Sequence, residues 1–283
     1  MVKRIRAYLR LPLALLAAYV LAAGVLFTFQ TSLIYVPTVG AEDPASLGLE
    51  DVRVGRLQTE DGETLEFWSS DPAPGKPTIV FFHGNAGNLM HRIPTFRTFR
   101  DRGYGFVALD YRGYGNSTGK PTAAALHDDA RLLMRTVTDS MNVPTSSIIL
   151  YGESLGTGLA TRLASEEDVA GLVLQSPYTS VEDAARQSFF WLPVGLLLTE
   201  TFSNIDHIGQ VREPVLIIHG EDDSLFPVDM AREIASKASS RVTTRYLAGA
   251  GHNDISVLDI GVLLQDFVER LAPDAAPGMQ DPA

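Results

Sequence analysis

The sequence has no cysteine. That excludes disulfides, thiolate catalysis, zinc ribbons and Cys-ligated iron–sulfur clusters together, and leaves the redox compartment open. Positive charge is also scarce: 23 Lys and Arg stand against 34 Asp and Glu, a formal net charge of −11. A nucleic-acid-binding body needs the opposite balance, so no nucleic-acid partner is expected. The chain has no internal repeat or low-complexity tract, no Gly-x-x-x-x-Gly-Lys-[Ser/Thr] phosphate loop and no Gly-x-Gly-x-x-Gly fingerprint. His91, His127 and His207 have no ligand-like spacing, so neither a metal nor a cofactor is expected. What is present, 45% hydrophobic and 20% charged residues over 283 positions, suits a folded protein with one large α/β domain.

Charge is missing in one further place. Lys3, Arg4, Arg6 and Arg10 open the chain, leaving 19 cations against 34 anions and −15 for the rest, and residues 11–41 then carry no charge at all. Residues 11–29 are nearly all apolar and make about 28 Å of helix, enough to span a hydrocarbon core. A basic flank over 1–10 and an apolar helix over 11–30 read as a retained, single-pass signal anchor. The positive-inside rule then puts the N-terminus in the cytoplasm and the remaining chain on the outer, periplasmic or lumenal, side. The rival is a cleaved signal peptide, for which Ala18, Ala22 and Ala23 offer imperfect sites with the apolar run continuing past them. Residues 31–50, with Pro37, Gly40, Pro44 and Gly48, read as a flexible linker reaching about 20 Å r.m.s..

From residue 51 to 271 the pattern alternates. Val52, Val54 and Leu57, then Leu65 and Phe67, flank a turn at Asp61-Gly62 and read as a hairpin. Short apolar runs follow at 78–82, 105–109, 148–151, 172–174, 215–218 and 242–246, too short for helices and closed by Gly, Asp or Pro. Helical patterns lie between them. The layout is a mostly parallel sheet of about eight strands between two helix layers. The tail, 272–283, has three prolines and no apolar period, and reads as frayed.

The chemistry falls in the loops after strands. Gly152-Glu153-Ser154-Leu155-Gly156 follows one strand and opens a helix, so the flanking glycines permit a sharp corner that lifts the Ser154 hydroxyl into a crevice. A serine needs a base oriented by an acid. His252, in Gly249-Ala250-Gly251-His252-Asn253-Asp254, is the base that fits, and Asp222 and Asp223 compete as acid ahead of Pro227. One oxyanion donor is the Leu155 N–H; the loop His83-Gly84-Asn85-Ala86-Gly87-Asn88 nominates Asn85 for the other. His83 and His219, each before Gly at a strand end, read as packed rather than catalytic.

Together these motifs, with Asp110-Tyr111-Arg112-Gly113-Tyr114-Gly115-Asn116-Ser117, resemble the α/β-hydrolase superfamily, and within it the bud-emergence-related, ABHD-type hydrolases, many with one N-terminal membrane helix. The likeness covers residues 51–271. It implies Ser154 as nucleophile, His252 as base and Asp223 rather than Asp222 as acid. It also implies a structural loop at 110–117, with Asp110 and Arg112 as candidates for buried pairing. The stretch between the sixth and seventh strands leaves room only for a small cap, at about 177–212. Within it, residues 189–198 are uncharged and mostly apolar; core packing of the cap is the first reading, an acyl pocket or contact with the bilayer the others. The function expected is a membrane-anchored serine hydrolase cleaving a small, lipid-derived or other, acyl ester or thioester. An amidase or peptidase with the same machinery and a non-catalytic anchored scaffold are the alternatives.

Overall fold

The structure, a computed structural model, describes residues 2–255 and 257–271; the expected frayed tail lies outside the described residues. In chain order the larger elements are helix α1 (Val2–Ile34) and strands β1 (Arg53–Gln58), β2 (Thr64–Ser70) and β3 (Thr78–Phe82). Then come α2 (Ile93–Asp101), β4 (Gly105–Leu109), α3 (Ala123–Arg135), β5 (Ile148–Glu153), α4 (Gly156–Glu166) and β6 (Gly171–Gln175). The chain continues through α5 (Val181–Ser188), α6 (Val194–Leu197), β7 (Val215–Gly220), α7 (Val228–Lys237), β8 (Val242–Leu247) and α8 (Val257–Leu271).

The strands form one eight-stranded sheet in the order β8-β7-β6-β5-β3-β4-β2-β1. It is parallel except where the β1–β2 hairpin joins: β1 and β2 pair antiparallel with Gln58 opposite Thr64, and β2 pairs antiparallel with β4. Period-2 alternation sends successive side chains to opposite faces. Val80 and Phe82 of β3 point into a core shared with α3, α4 and α7, while Ile79 and Phe81 enter a second core against α2 and α8. The second core is aromatic, with Phe96 and Phe106 stacked at 4.6 Å. Strand order reverses between β5 and β3, so the carboxyl ends diverge there and open the crevice that α/β sheets use for ligands.

Two expectations need correction. The apolar helix runs on to Ile34 rather than ending near residue 30. The linker is not a free tether: Tyr35 and Leu49 are buried, and Val36 and Pro37 pair in parallel with Ala86 and Gly87. The reason is side-chain chemistry that glycine and proline counts do not capture. Tyr35 Oη donates to Glu200 at 2.6 Å, and Glu200 also accepts from the Ala123 N–H at 2.6 Å, so the segment is tied to the body of the domain.

Candidate active site

β5 ends in a corner that few residues tolerate. Ser154 has φ +50°, a left-handed backbone that costs an ordinary residue about 1–2 kcal/mol. A Cβ on Gly152 would lie 2.5 Å from the Thr157 Cα, and one on Gly156 only 2.1 Å from the Phe82 carbonyl oxygen. Both positions therefore have to be glycine, and the corner holds the Ser154 side chain at the carboxyl end of the sheet. Leu155 stands as the N-cap of α4, so its N–H belongs to the first-turn donors that lack a helical partner.

β7 and β8 supply the groups that face Ser154. Ser154 Oγ lies 2.9 Å from His252 Nε2, and His252 Nδ1 lies 2.7 Å from Asp223 Oδ2. Asp223 is fixed from behind: its Oδ1 accepts from the N–H groups of Leu225 and Phe226 at 2.9 and 2.8 Å. Burial of Asp223 by itself raises its pKa; hydrogen bonds from His219, His252 and the Phe226 N–H outweigh it and hold the carboxyl below its usual range. Phe226 also sets its ring edge-on to His252 at 5.0 Å. Asp222 is exposed, and its N–H is used to bond the Ala250 carbonyl. Of the two competing acids, Asp223 is the one brought to His252. His219 is buried, with Nε2 2.8 Å from the Phe226 carbonyl, packed as expected.

The loop after β3 closes one side of Ser154. A Cβ on Gly84 would be 3.4 Å from that of Ser154. The Gly84 carbonyl is turned onto the His83 ring, 2.7 Å from Nδ1, and a trans peptide therefore aims the Asn85 N–H the opposite way. Asn85 is held by three hydrogen bonds. Its carbonyl accepts from Tyr114 Oη at 2.6 Å and from the Val36 N–H at 3.0 Å, and its side-chain amide donates to the Ile34 carbonyl at 3.0 Å. His83 and Asp110 lie beneath, wholly buried with Nε2 and Oδ1 3.6 Å apart. Burial lowers His83 to about 3 and raises Asp110 to about 7, so both favour their neutral forms. Asp110 and Arg112 are thus each in a buried pair, but not with one another: Arg112 Nε donates to Asp129 at 2.7 Å.

The crevice over Ser154 has a volume of about 200 Å³, and its lining includes Arg92, Glu153, Gln175 and Ser176, to which the sequence pattern assigns no role. Arg92 makes a two-point ion pair with Glu153, at 2.7 and 3.1 Å, that walls the crevice. Glu153 is the variable residue of the Gly-x-Ser-x-Gly motif, so its place was visible, but no spacing links it to residue 92. Ser176 has φ +51° and its hydroxyl lies 3.4 Å from the His252 carbonyl; nothing in the local sequence signals that strain.

The chain as a whole has relatives. A family model described as serine aminopeptidase (Hydrolase_4) matches residues 73–205. An uncharacterized Mycobacterium tuberculosis protein is 32% identical over 97% of this chain and 98% of its own length. The α/β hydrolase domain-containing protein 17C of Xenopus tropicalis is 32% identical over 79% of this chain and 69% of its own. This chain is an ABHD-type member of the α/β-hydrolase superfamily. The hydrolase also shares its fold with an esterase of Pyrococcus furiosus, at a TM-score of 0.69 and 21% identity, covering 84% of this chain and 97% of that one. The small cap expected at about 177–212 holds α5 and α6, and none of its residues lines the crevice over Ser154.

Proposed function

We propose that this hydrolase is a serine esterase or thioesterase working through an acyl-Ser154 intermediate. The observation that carries the reading is the hydrogen-bonded chain Ser154 Oγ, His252, Asp223, at 2.9 and 2.7 Å. Ser154 Oγ–H gives its proton to His252 Nε2 as the oxygen attacks the substrate carbonyl. Asp223, kept anionic, stabilises the imidazolium and fixes the tautomer with the proton on Nδ1. The N–H groups of Leu155 and Asn85 take the developing oxyanion. His252 then protonates the leaving group, and a water activated by the same imidazole releases the acyl group. The name of the matching family model favours a second reading, an amidase with the same machinery. Parallel assays with a p-nitrophenyl ester and a p-nitroanilide of one acyl group decide between them: since the ester is the more labile bond for any serine hydrolase, ester turnover with no detectable anilide turnover supports the first reading, and sustained anilide turnover the second.

The reading includes anchoring. α1 contains a 25-residue apolar stretch, Arg10–Ile34, behind a basic N-terminus. We place that stretch across a membrane with the N-terminus cytoplasmic and the domain outside. A fusion of alkaline phosphatase after Gly48 is then active. An inactive fusion puts the domain in the cytoplasm, and a mature chain starting near Gly24 replaces the anchor with a cleaved signal. Because the segment after α1 is bonded to the domain, the crevice sits close to the membrane, and acyl groups held there are the substrates to test first.

A further inference from the structure

The cap carries an apolar surface that does not suit water. Phe190 is 83% exposed, Leu196 86% and Trp191 43%, and residues 189–198 carry no charge. Soluble surfaces rarely gather such side chains. Core packing accounts for Val194, which is buried, but not for these three.

The same segment is fastened to α1 at two levels. Tyr19 Oη donates to the Trp191 carbonyl at 3.3 Å, and the two rings meet edge to face at 6.0 Å. Gln30 Nε2 donates to the Leu197 carbonyl at 3.2 Å, while its Oε1 accepts from the Thr199 N–H at 2.8 Å. From residue 19 to residue 30 a helix advances about 16 Å and close to three turns, so both polar side chains share one face. The cap tip therefore runs back along α1. Leu26 and Phe27 between Tyr19 and Gln30, and Ile34 beyond, face Ala185, Phe189 and Leu197 across an open apolar groove of about 110 Å³.

The depth follows from helix length. A hydrocarbon core needs roughly 20 residues of helix. Wherever these fall within Arg10–Ile34, Gln30 is within about 6 Å of the domain-side edge and Tyr19 at least about 15 Å inside it. Resting on the anchoring argued above, we propose that the cap tip, residues 189–198, is itself immersed in the hydrocarbon core beside α1, reaching about its middle at Trp191, and that a lipid acyl chain fills the groove between them. Irregular backbone survives in hydrocarbon only when its polar groups are satisfied. Here the carbonyls of Trp191 and Leu197 are taken by Tyr19 and Gln30. The N–H groups of Leu192, Val194, Leu196 and Leu198 donate within the tip. The Glu182–Arg186 ion pair sets the upper limit of immersion. Glu182 packs against Gly195, two residues from Leu197, which places the pair level with Gln30 among the headgroups. Tyr19 and Gln30, polar residues in an apolar helix, thereby have a role.

The sequence contains two tryptophans, and Trp68 is fully buried in the domain core, so Trp191 reports on the tip. The full-length chain is reconstituted in phosphatidylcholine vesicles with and without brominated acyl chains, and flotation is scored on the same samples. The expected result is that bromine quenches wild-type emission and leaves that of a floating, folded W191F variant unchanged. A floating wild type with unquenched emission, or equal quenching in both chains, overturns immersion while anchoring stands. Unquenched emission from a chain that crosslinks as a dimer assigns the face to a second copy instead. A chain that does not float overturns both.

Discussion

Replacing Asp223 by asparagine changes one atom and should silence the site for a reason that the hydrogen bonds spell out. Oδ1 of Asp223 accepts two backbone N–H groups, from Leu225 and Phe226. In the variant those donors hold the amide oxygen at that position, so the amide NH2 takes the place of Oδ2 and faces His252 Nδ1. The ring must then accept at Nδ1 and carry its proton on Nε2, facing Ser154 with a donor where an acceptor is required. The imidazolium also loses its anionic partner at 2.7 Å. Loss of a His-orienting carboxylate in this way lowers kcat by about 10²–10⁴, or about 3–5 kcal/mol in the barrier. Asp222→Asn, at an exposed side chain without contact to the ring, should cost less than about tenfold by the same comparison. The assay is hydrolysis of a short p-nitrophenyl ester at saturating substrate, with thermal melting of each variant to establish that it is folded. Activity of Asp223→Asn within tenfold of wild type, or a larger loss in Asp222→Asn, would refute the reasoning.

Further outcomes follow from the same geometry. Ser154→Ala should abolish ester hydrolysis without lowering the melting temperature, and Ser154→Gly should be about 1 kcal/mol more stable than Ser154→Ala because glycine accepts the φ of +50°; equal melting of the two variants would remove the strain argument. Gly156→Ala puts a Cβ 2.1 Å from the Phe82 carbonyl oxygen and should cost about 3 kcal/mol or more, read by urea denaturation; a loss under 1 kcal/mol would contradict the close approach. The buried pair under the crevice gives a pH signature. His83, lowered to about 3, makes the folded state bind fewer protons than the unfolded one, so its contribution to stability rises with pH and is complete above about 6.5. Asp110, raised to about 7, does the reverse, and its contribution falls between about pH 4 and 7. The two oppose each other in wild type. Asp110→Asn keeps an acceptor for the Leu89 N–H and removes one of them, so its stability relative to wild type should climb from pH 4 to 7; a difference independent of pH would falsify the assignment.

The sheet was legible because the central strands, β3 to β7, are buried on both faces and so read as apolar runs too short for helices, closed by glycine, aspartate or proline. Ser154 and His252 could be placed because each follows a strand and stands among small residues. Asp222 and Asp223 competed as neighbours in sequence and the family resemblance favoured Asp223; in the structure burial, the contact to His252 and the paired N–H groups of Leu225 and Phe226 set it apart. Residues 31–50 were misjudged because glycine and proline suggest freedom, whereas Tyr35 and Leu49 become buried through partners as distant as Glu200. The Arg92–Glu153 pair spans 61 positions and depends on the way α2 follows the loop after β3, which no local pattern encodes. Tyr19 and Gln30 bond cap residues more than 160 positions away, which no local pattern encodes.

The central claim is that one hydroxyl, that of Ser154, is made nucleophilic by His252 and Asp223. It is tested most directly by treating the full-length protein with a fluorophosphonate, digesting it, and locating the adduct by mass spectrometry. The account predicts a single adduct on Ser154, absent from Ser154→Ala and strongly slowed in His252→Ala. A folded protein that takes up no label, or carries it on another residue, would contradict it.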